Sequence, residues 1–343
     1  MPVISVVIPA FRAEATVARA VRSVIDQSID DWEVIVVADD QADYAAILRR
    51  VGIDDPRLHF VSTGCVGSGC HHARNVGLAA AHGDFIADLD ADDLFLPSRF
   101  ATLLPMARLQ GAAADNMRVV ADGTGEVIGH AFSADFSFRS LDTAALLDAS
   151  VPLFPLVARQ YAEPRAAGIE FGEDVVANLR LIDRIGSLTV AGASLSDYRV
   201  VGGSLCHSDN SAEKFENSYS NLIERFQHGD RLGLSPANAA AAHEGLLRKR
   251  DLNRAFAAAR LKNQALDFQT FAASQRAATA SQNGISSSMS SRLPPAPAIA
   301  GLRSRDAVGP GEPKSPLSDP APPPARSSMV SAELKPCSTT SVE

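Results

Sequence analysis

Residues 85–93 read Phe-Ile-Ala-Asp-Leu-Asp-Ala-Asp-Asp, an apolar run that ends in a cluster of carboxylates. The apolar part predicts a buried strand. Asp90 and Asp92 are two residues apart, so in an extended backbone their side chains project to the same side. Neighbouring carboxylates repel each other unless a cation lies between them, and Mg²⁺ commonly binds carboxylates together with phosphate oxygens. The stretch therefore predicts a metal ion that holds a phosphorylated ligand, with an acidic helix N-terminus at 94–97 as the alternative.

The sequence before this stretch alternates between runs typical of strands and runs typical of helices. Predicted strands cover 3–8, 34–38, 58–61 and 85–89, and predicted helices cover 16–27, 43–50 and 71–81. This alternation predicts an α/β fold whose mostly parallel sheet has helices on both faces. Ligands of such sheets bind beyond the carboxyl ends of the strands. We expect residues 9–11, residues 39–40 and the aspartate cluster to line one crevice there.

The pattern is less regular in the rest of the chain. After Arg99 it predicts a helix, short strands near 117–120 and 126–130, and a helix that ends near Ser150. A later helix begins at 171–174, where acidic residues suit the helix dipole, and runs to Ile185. Further helices are predicted at 211–227, 237–247 and 250–268. Residues 275–343 are rich in Ser, Pro, Gly and Ala and have no aromatic residue, which predicts disorder.

Charge and cysteine content limit the classes of protein. A net charge of −8 argues against a nucleic-acid-binding protein. Four scattered cysteines favour a reducing compartment. The chain begins without a signal-peptide pattern, and it has no apolar stretch long enough to span a bilayer, so we expect a cytoplasmic protein. The basic segment 246–260 favours a solvated helix face over contact with an anionic membrane surface.

Several blocks of sequence, taken in order, resemble glycosyltransferase family 2. The early blocks are Ser-Val-Val-Ile-Pro-Ala-Phe at 5–11, Ser-Val-Ile-Asp-Gln-Ser at 23–28, Asp-Trp-Glu-Val-Ile-Val-Val at 31–37 and Ala-Arg-Asn-Val-Gly-Leu at 73–78, followed by 83–93. The late blocks are Gly-Glu-Asp at 172–174 and Tyr-Arg-Val-Val-Gly-Gly-Ser at 198–204. An ordered set over about residues 3–205 is more specific than any single motif. The resemblance implies the GT-A fold of nucleotide-diphospho-sugar transferases.

The resemblance also implies a division of the chain into domains. A GT-A glycosyltransferase domain would cover 1–205, with a nucleotide-binding half at 1–95 and an acceptor half at 96–205. A C-terminal helical extension would cover 206–274, and the predicted disordered tail would follow.

For the donor, the resemblance implies a nucleotide pocket at the ends of the first strands. Pro9, Ala10 and Phe11 would line this pocket, with the Phe11 ring close to the base. Asp39 would accept a hydrogen bond from the imide of uracil, and Arg74 would reach the base or the diphosphate. The residues alone leave two alternatives open: Asp39 caps the turn after its strand, and Arg74 is a surface residue.

For the reaction, the resemblance implies a metal site and a general base. Asp92 would be the main ligand of Mg²⁺ or Mn²⁺, and Asp90 would bind the metal and ribose region. Asp174 would accept the proton of the acceptor hydroxyl, with inversion at the anomeric carbon, and Glu173 would support Asp174 or contact the acceptor. The alternative is that Asp174 is only an acidic residue of a first helical turn. Asp93 is expected to cap the segment that follows it.

Some positions depart from the family pattern. Ala38 stands where the first of two adjacent aspartates is usual, and Val201 stands where a histidine is usual, unless His207 replaces it. The segment before the Ala-Arg-Asn block contains four residues of metal-ligand types, which are Cys65, Cys70, His71 and His72. Their spacing matches no ordinary zinc site, so we expect a loop that lines the base or acceptor pocket.

The sequence therefore predicts an inverting, metal-dependent glycosyltransferase that moves a hexose, with glucose favoured, from a UDP-sugar to a saccharide acceptor. The resemblance implies a lipid-linked acceptor and bacterial exopolysaccharide biosynthesis. The expected location is the cytoplasm, with peripheral contact at the cytoplasmic face of the inner membrane as an addition. The alternative function is a non-catalytic nucleotide-sugar-binding or scaffold protein on the same fold. A nucleotidyltransferase is disfavoured because no Gly-rich, Lys-bearing loop follows the first strand.

Overall fold

The computed structural model describes residues 2–132, 136–148, 153–169, 172–200, 211–263, 266, 271, 274 and 275. Four predictions lie outside these residues. They concern Val201, His207, the end of the helix predicted at 250–268, and the tail beyond residue 275.

Four parallel strands form the first half of the main sheet. Strands β1 (Ile4–Ala10), β2 (Trp32–Ala38), β3 (Leu58–Ser62) and β4 (Phe85–Asp88) lie in the order β3-β2-β1-β4. Helices α1 (Val17–Ile25), α2 (Tyr44–Arg50) and α3 (Cys70–Ala80) connect them. Alternate residues of β2 pack on opposite faces, Val34 in one core cluster and Ile35 in another, and every residue of β2 is buried. Burial on both faces explains the continuous β-branched runs in the sequence.

The second half of the sheet mixes strand directions. Strands β6 (Ala112–Asp115), β9 (Phe138–Leu141), β10 (Leu156–Ala158) and β11 (Leu188–Ala191) complete the order β3-β2-β1-β4-β10-β6-β11-β9. Strand β10 pairs antiparallel with both β4 and β6, and β9 pairs antiparallel with β11. The remaining strands share one direction. The predicted α/β fold with a mostly parallel sheet is confirmed, with two short antiparallel strands that the sequence did not predict.

A second, smaller sheet begins with the strand that directly follows the aspartate cluster in the chain. It contains β5 (Leu94–Phe95), β7 (Arg118–Ala121), β8 (Val127–His130) and β12 (Ser196–Val200) in the order β5-β12-β7-β8. Residues 94–95 therefore begin a strand and not the helix of the alternative interpretation. Helix α4 (Arg99–Gln110) begins later.

The remaining helices pack on the second half of the main sheet. They are α5 (Thr143–Leu147), α6 (Glu173–Ile185), α7 (Ser211–Gln227) and α8 (Pro236–Arg260), with a 3₁₀ turn at Arg159–Tyr161. Leu222 of α7 and Leu246 of α8 belong to the same core cluster as α6 and β11. The prediction of separate helices at 237–247 and 250–268 is wrong, because α8 is continuous through residues 248–249, where Arg and Lys are good helix formers. Among the described residues, no helix combines the length and apolar character that crossing a membrane requires.

A buried ion pair joins the two sheets. Asp115, at the end of β6, accepts hydrogen bonds from Arg99 Nε at 3.1 Å, from the Leu195 main-chain N–H at 3.0 Å and from Ser196 Oγ at 2.7 Å. The Arg99 side chain is only 1% exposed, and the Asp115 side chain 2%. Arg99 also donates to the Phe154 carbonyl at 2.6 Å. One carboxylate therefore holds β12, which carries part of the candidate site, against the main sheet.

We expect Asp115→Ala to lower the free energy of unfolding by about 3–5 kcal/mol, because it leaves the buried Arg99 charge without its partner. Chemical denaturation near neutral pH measures this change. The control is Glu163→Ala, which removes a surface pair with Arg184 and should cost about 0–1 kcal/mol. Equal effects of the two substitutions would contradict the role assigned to Asp115.

Candidate active site

The carboxyl ends of β1 and β2 bring the predicted nucleotide-binding residues together. Pro9 and Ala10 are the last residues of β1, and Phe11 follows with 44% of its surface exposed. The main-chain N–H of Asp39, just after β2, donates to the Ala10 carbonyl at 2.9 Å. The exposed Phe11 ring is the one large apolar surface of this group.

The Asp39 carboxylate is engaged by its own chain. Its Oδ1 accepts from Thr63 Oγ1 at 2.8 Å, from the Ser68 main-chain N–H at 3.0 Å and from the Ser68 hydroxyl. Its Oδ2 accepts from the Gly69 N–H at 2.9 Å, and Asp39 is 3% exposed. These bonds hold loop 63–69 ahead of α3, whereas the capping alternative concerned the turn directly after β2. A uracil imide at Asp39 must use the remaining capacity of Oδ2 or replace one of these donors.

Three aspartates converge after β4. Carboxylate oxygens of Asp90, Asp92 and Asp93 all lie within 4.8 Å of one another. Burial, followed by the charge of Asp90, raises the pKa of Asp92 to about 6. Burial also raises the pKa of Asp90, although the Arg74 guanidinium opposes this, and it raises that of Asp93 still further. Raised carboxylate pKa values mean that the cluster lacks positive charge, and a hard divalent cation would supply it.

Asp93 was expected to cap the segment that follows it, but its side chain contacts strand β12. Its Oδ1 accepts the main-chain N–H of Arg199, on β12, at 2.7 Å, and the residue is 3% exposed. Its Oδ2 has no hydrogen-bond partner among the described residues. A buried, unpartnered carboxylate oxygen beside two other carboxylates fits a cation ligand. Asp93 therefore belongs with Asp90 and Asp92.

Arg74 is buried, so the alternative of a surface residue is wrong. Its side chain is 5% exposed and forms ion pairs with Asp90 through Nη2 and with Glu173 through Nη1. Its guanidinium carbon lies 5.2 Å from the centre of the Phe154 ring. The resemblance implied a contact with the base or the diphosphate, but both Nη atoms already bind protein carboxylates. In this structure Arg74 connects the aspartate cluster to α6.

Helix α6 places Glu173 and Asp174 beside the cluster. Gly172, which precedes them, has a φ of +77° that favours glycine. Glu173 is 4% exposed, and burial raises its pKa. Arg74 binds both Asp90 and Glu173, and the half-buried Asp174 is the residue after Glu173, so the start of α6 lies close to the cluster. The predicted base and the predicted metal ligands, which are far apart in sequence, are brought together.

The cysteine and histidine residues before Arg74 are not grouped as three or more potential ligands of one ion in the described part of the chain. Among the described residues, Asp90, Asp92 and Asp93 are the one group of three potential ligands that meets the geometry for an ion. Cys70 begins α3, and its Sγ lies 3.8 Å from Glu173 Oε1. Burial raises the pKa of the Cys70 thiol to about 11, so the thiol stays protonated. The segment borders the site, as expected of a lining loop.

Sequence reasoning missed two charged residues of this site. Asp88, on β4, and Arg165, in the segment after the 3₁₀ turn, form an ion pair. Asp88 lies in the acidic run but was assigned no role, whereas Arg165 lies in no motif. Only the folded chain brings Arg165 to the cluster.

The candidate metal site leads us to expect that the stabilisation of the fold by a divalent cation depends on pH. A carboxyl whose folded pKa is raised stabilises the fold fully below its unfolded pKa, and this contribution is lost as pH rises through the folded pKa, about 6 for Asp92. A cation that binds the ionised aspartates restores stability above that pH. We therefore expect the gain in Tm from Mn²⁺, relative to EDTA, to be small at about pH 5 and larger at about pH 7.5. Thermal unfolding measures it, and Asp92→Asn should abolish it; a gain independent of pH would contradict this assignment.

Comparison with known proteins finds similarity to glycosyltransferases over part of the chain. Residues 5–146 match the family described as Glycosyl transferase family 2. The succinoglycan biosynthesis protein ExoO of Rhizobium meliloti is 36% identical over 122 residues, which are 35% of this chain and 34% of that protein. The UDP-Glc:alpha-D-GlcNAc-diphosphoundecaprenol beta-1,3-glucosyltransferase WfgD of Escherichia coli is 31% identical over 103 residues, 30% of this chain and 40% of that protein. The match thus spans well under half the length of these relatives.

Solved structures share the fold at low sequence identity. Residues 1–349 of TarS from S. aureus, in complex with UDP-GlcNAc, superpose with a TM-score of 0.51 and 15% identity, covering 68% of this chain and 70% of that one. The mannosyltransferase PcManGT from Pyrobaculum calidifontis, in complex with GDP-Man and Mn²⁺, gives a TM-score of 0.52 and 16% identity, covering 81% and 80%. The expected GT-A fold is confirmed. The aspartate cluster lies inside the segment, residues 5–146, that matches Glycosyl transferase family 2.

Proposed function

We propose that the chain is an inverting, metal-dependent glycosyltransferase that moves a hexose from a UDP-sugar to a saccharide acceptor. One observation carries this proposal: Arg74 binds both Asp90 of the aspartate cluster and Glu173, the residue before Asp174 at the start of α6. A cation site and a carboxylate base at one sheet edge are the two groups that the transfer requires.

The metal site is assigned to Asp90 and Asp92, with Asp93 as a further ligand. The unpartnered Oδ2 of Asp93 and the raised pKa of Asp92 fit a divalent cation, Mg²⁺ or Mn²⁺. When bound, such a cation neutralises the charge that develops on the departing nucleoside diphosphate.

The role of general base, which accepts the proton of the acceptor hydroxyl, is assigned to Asp174. As the acceptor oxygen forms a bond to the anomeric carbon, the bond from that carbon to the diphosphate oxygen breaks, and a carboxylate oxygen of Asp174 takes the hydroxyl proton. Attack opposite the leaving group inverts the anomeric carbon, and one base is sufficient. Glu173 holds the first turn of α6 through its ion pair with Arg74.

The nucleotide pocket is assigned to Pro9, Ala10, Phe11 and Asp39. The exposed Phe11 ring provides an apolar face for a base, and Asp39 provides the acceptor for an imide. Contact with a base at Asp39 displaces part of the hydrogen bonding by loop 63–69. Arg74 supports the proposed site indirectly, because its Nη atoms bind Asp90 and Glu173 and not the nucleotide.

The donor and the acceptor are proposed from the relatives. The name of WfgD specifies UDP-glucose and a lipid-linked acceptor, and the name of ExoO specifies succinoglycan biosynthesis. We extend these features to this chain: a UDP-hexose donor with glucose favoured, a lipid-linked saccharide acceptor, and a cytoplasmic location with peripheral contact at the inner membrane. The donors bound to TarS and PcManGT make UDP-GlcNAc and GDP-mannose the competing candidates.

The donor assignment is tested by measuring release of nucleoside diphosphate from a panel of UDP-glucose, UDP-galactose, UDP-GlcNAc and GDP-mannose, with Mn²⁺, Mg²⁺ or EDTA. We expect metal-dependent release to be fastest from UDP-glucose. Metal-dependent UDP binding without release from any donor, and without transfer to a lipid-linked acceptor extract, would instead support the non-catalytic alternative.

The residue roles are tested with Asp92→Asn and Asp174→Asn. Asp174→Asn should lower kcat of transfer by about 10²–10⁴-fold and leave calorimetric binding of UDP with Mn²⁺ unchanged, because only the base is lost. Asp92→Asn should lose transfer together with metal-dependent UDP binding. Asp183→Asn is the matched control, since Asp183 lies on α6 but bonds to Ser235 and Asn238 instead of the cluster. Undiminished turnover in either site variant would remove the role assigned to that residue.

A further inference from the structure

Arg165 lies between the two elements that carry the proposed metal ligands and the proposed base. Its Nη2 donates to Asp88 Oδ2 on β4, and its Nε lies 3.3 Å from Glu173 Oε2 on α6. The side chain is 15% exposed, compared with 12% for Asp88 and 4% for Glu173. Arg165 therefore bridges two largely buried carboxylates that come from distant parts of the chain.

Arg74 closes these contacts into a ring. It binds Oε1 of Glu173, and its Nε lies 3.9 Å from Asp88 Oδ2. Two guanidinium groups thus alternate with two carboxylates. The ring connects β4 to the first turn of α6 from both sides.

The two carboxylates of the ring lie close in sequence to the proposed reacting groups. Asp88 is two residues before Asp90, and Arg74 contacts both side chains. Glu173 is the residue before Asp174 in the first turn of α6. Any change in the separation of Asp88 and Glu173 therefore changes the separation of the metal ligands and the base.

Asn75 fixes the main chain from which Arg165 projects. The Arg165 N–H donates to Asn75 Oδ1 at 2.6 Å, and Asn75 Nδ2 donates to the Arg165 carbonyl at 3.0 Å. Residues 162–166 form neither a helix nor a strand, so these two bonds from α3 replace the support of a regular element. The Arg165 side chain is thereby directed to the ring.

We propose that Arg165, held by Asn75, is a positioning residue that sets the distance between the Asp90–Asp92 ligands and Asp174. This inference rests on the proposed glycosyltransferase function. The planar guanidinium suits the role because it presents separate N–H groups to two carboxylates, whereas a lysine ammonium is a single point charge. Without Arg165, Asp88 and Glu173 repel each other across the ring, and the first turn of α6 moves away from β4.

The test uses the full chain with Arg165→Met and Arg165→Lys, assayed for kcat, for donor KM and for UDP binding with Mn²⁺. We expect Arg165→Met to lower kcat by about 10²-fold, the effect of a displacement of about 1 Å, with KM and UDP affinity unchanged. Arg165→Lys should recover part of kcat because it restores one ion pair. Asn75→Ala should shift kcat in the same direction by a smaller factor.

Arg184→Met is the matched control, because Arg184 pairs with Glu163 on the surface of the same region. Its kcat should equal that of the wild type. Wild-type kcat in folded Arg165→Met, or a loss confined to UDP affinity, would overturn the inference. A lowered Tm with unchanged kcat per folded molecule would assign Arg165 to stability alone and would also overturn it.

A structure of the Arg165→Met variant tests the same inference without turnover. The separation of the Asp92 and Asp174 carboxylates should differ from the wild type by about 1 Å. If Arg165→Met does not fold, Arg165→Lys serves for this comparison. Absence of transfer by the wild type with every donor would overturn the proposed function, whereas an unchanged separation would overturn the positioning role.

Discussion

The architecture of this site depends on keeping several buried carboxylates at one sheet edge. Repulsion among like charges in a low-dielectric interior disfavours any arrangement that brings them together without cations. Arg74 and Arg165 supply two positive charges, which are shared among Asp88, Asp90 and Glu173. Negative charge remains in excess at Asp90, Asp92 and Asp93, which is the electrostatic basis of the proposed metal site.

The second half of the chain supplies a hydrogen-bond donor to the aspartate cluster, which the first half provides. Acidic residues follow the ends of β2 and β4. Of these, Asp93 accepts its hydrogen bond from the main-chain N–H of Arg199 on β12. Strand β12 is in turn held by Asp115 through Ser196. Because these contacts join segments that are far apart in sequence, the surroundings of Asp93 depend on both sheets.

The sequence predicted the first half of the fold well for a physical reason. Strands β1 and β2 are buried on both faces, so they appear as uninterrupted β-branched runs that few other structures would require. Strands β9 and β10 have four and three residues and little periodicity, so their pairing depends on tertiary contacts. The aspartate cluster was visible as a local motif.

Other parts of the site had no local signal. Arg165 stands in an irregular segment, and its partners on β4 and α6 are identified only by the folded chain. The burial of Arg74 was missed for a related reason: its sequence neighbours do not show that Asp90 and Glu173 would enclose it. Asp93 was assigned to a cap because the sequence could not show that β12 passes beside it.

In the proposed nucleotide pocket, loop 63–69 would compete with a nucleotide base for hydrogen bonds to Asp39. Its hydroxyl and N–H groups already occupy Asp39, so a base that binds this carboxylate exchanges one set of donors for another. If the loop must withdraw for the base to bind, the observed affinity for a nucleotide equals the intrinsic affinity multiplied by the fraction of molecules in which the loop has withdrawn. Substitutions in this loop can therefore alter donor affinity in either direction without touching the donor.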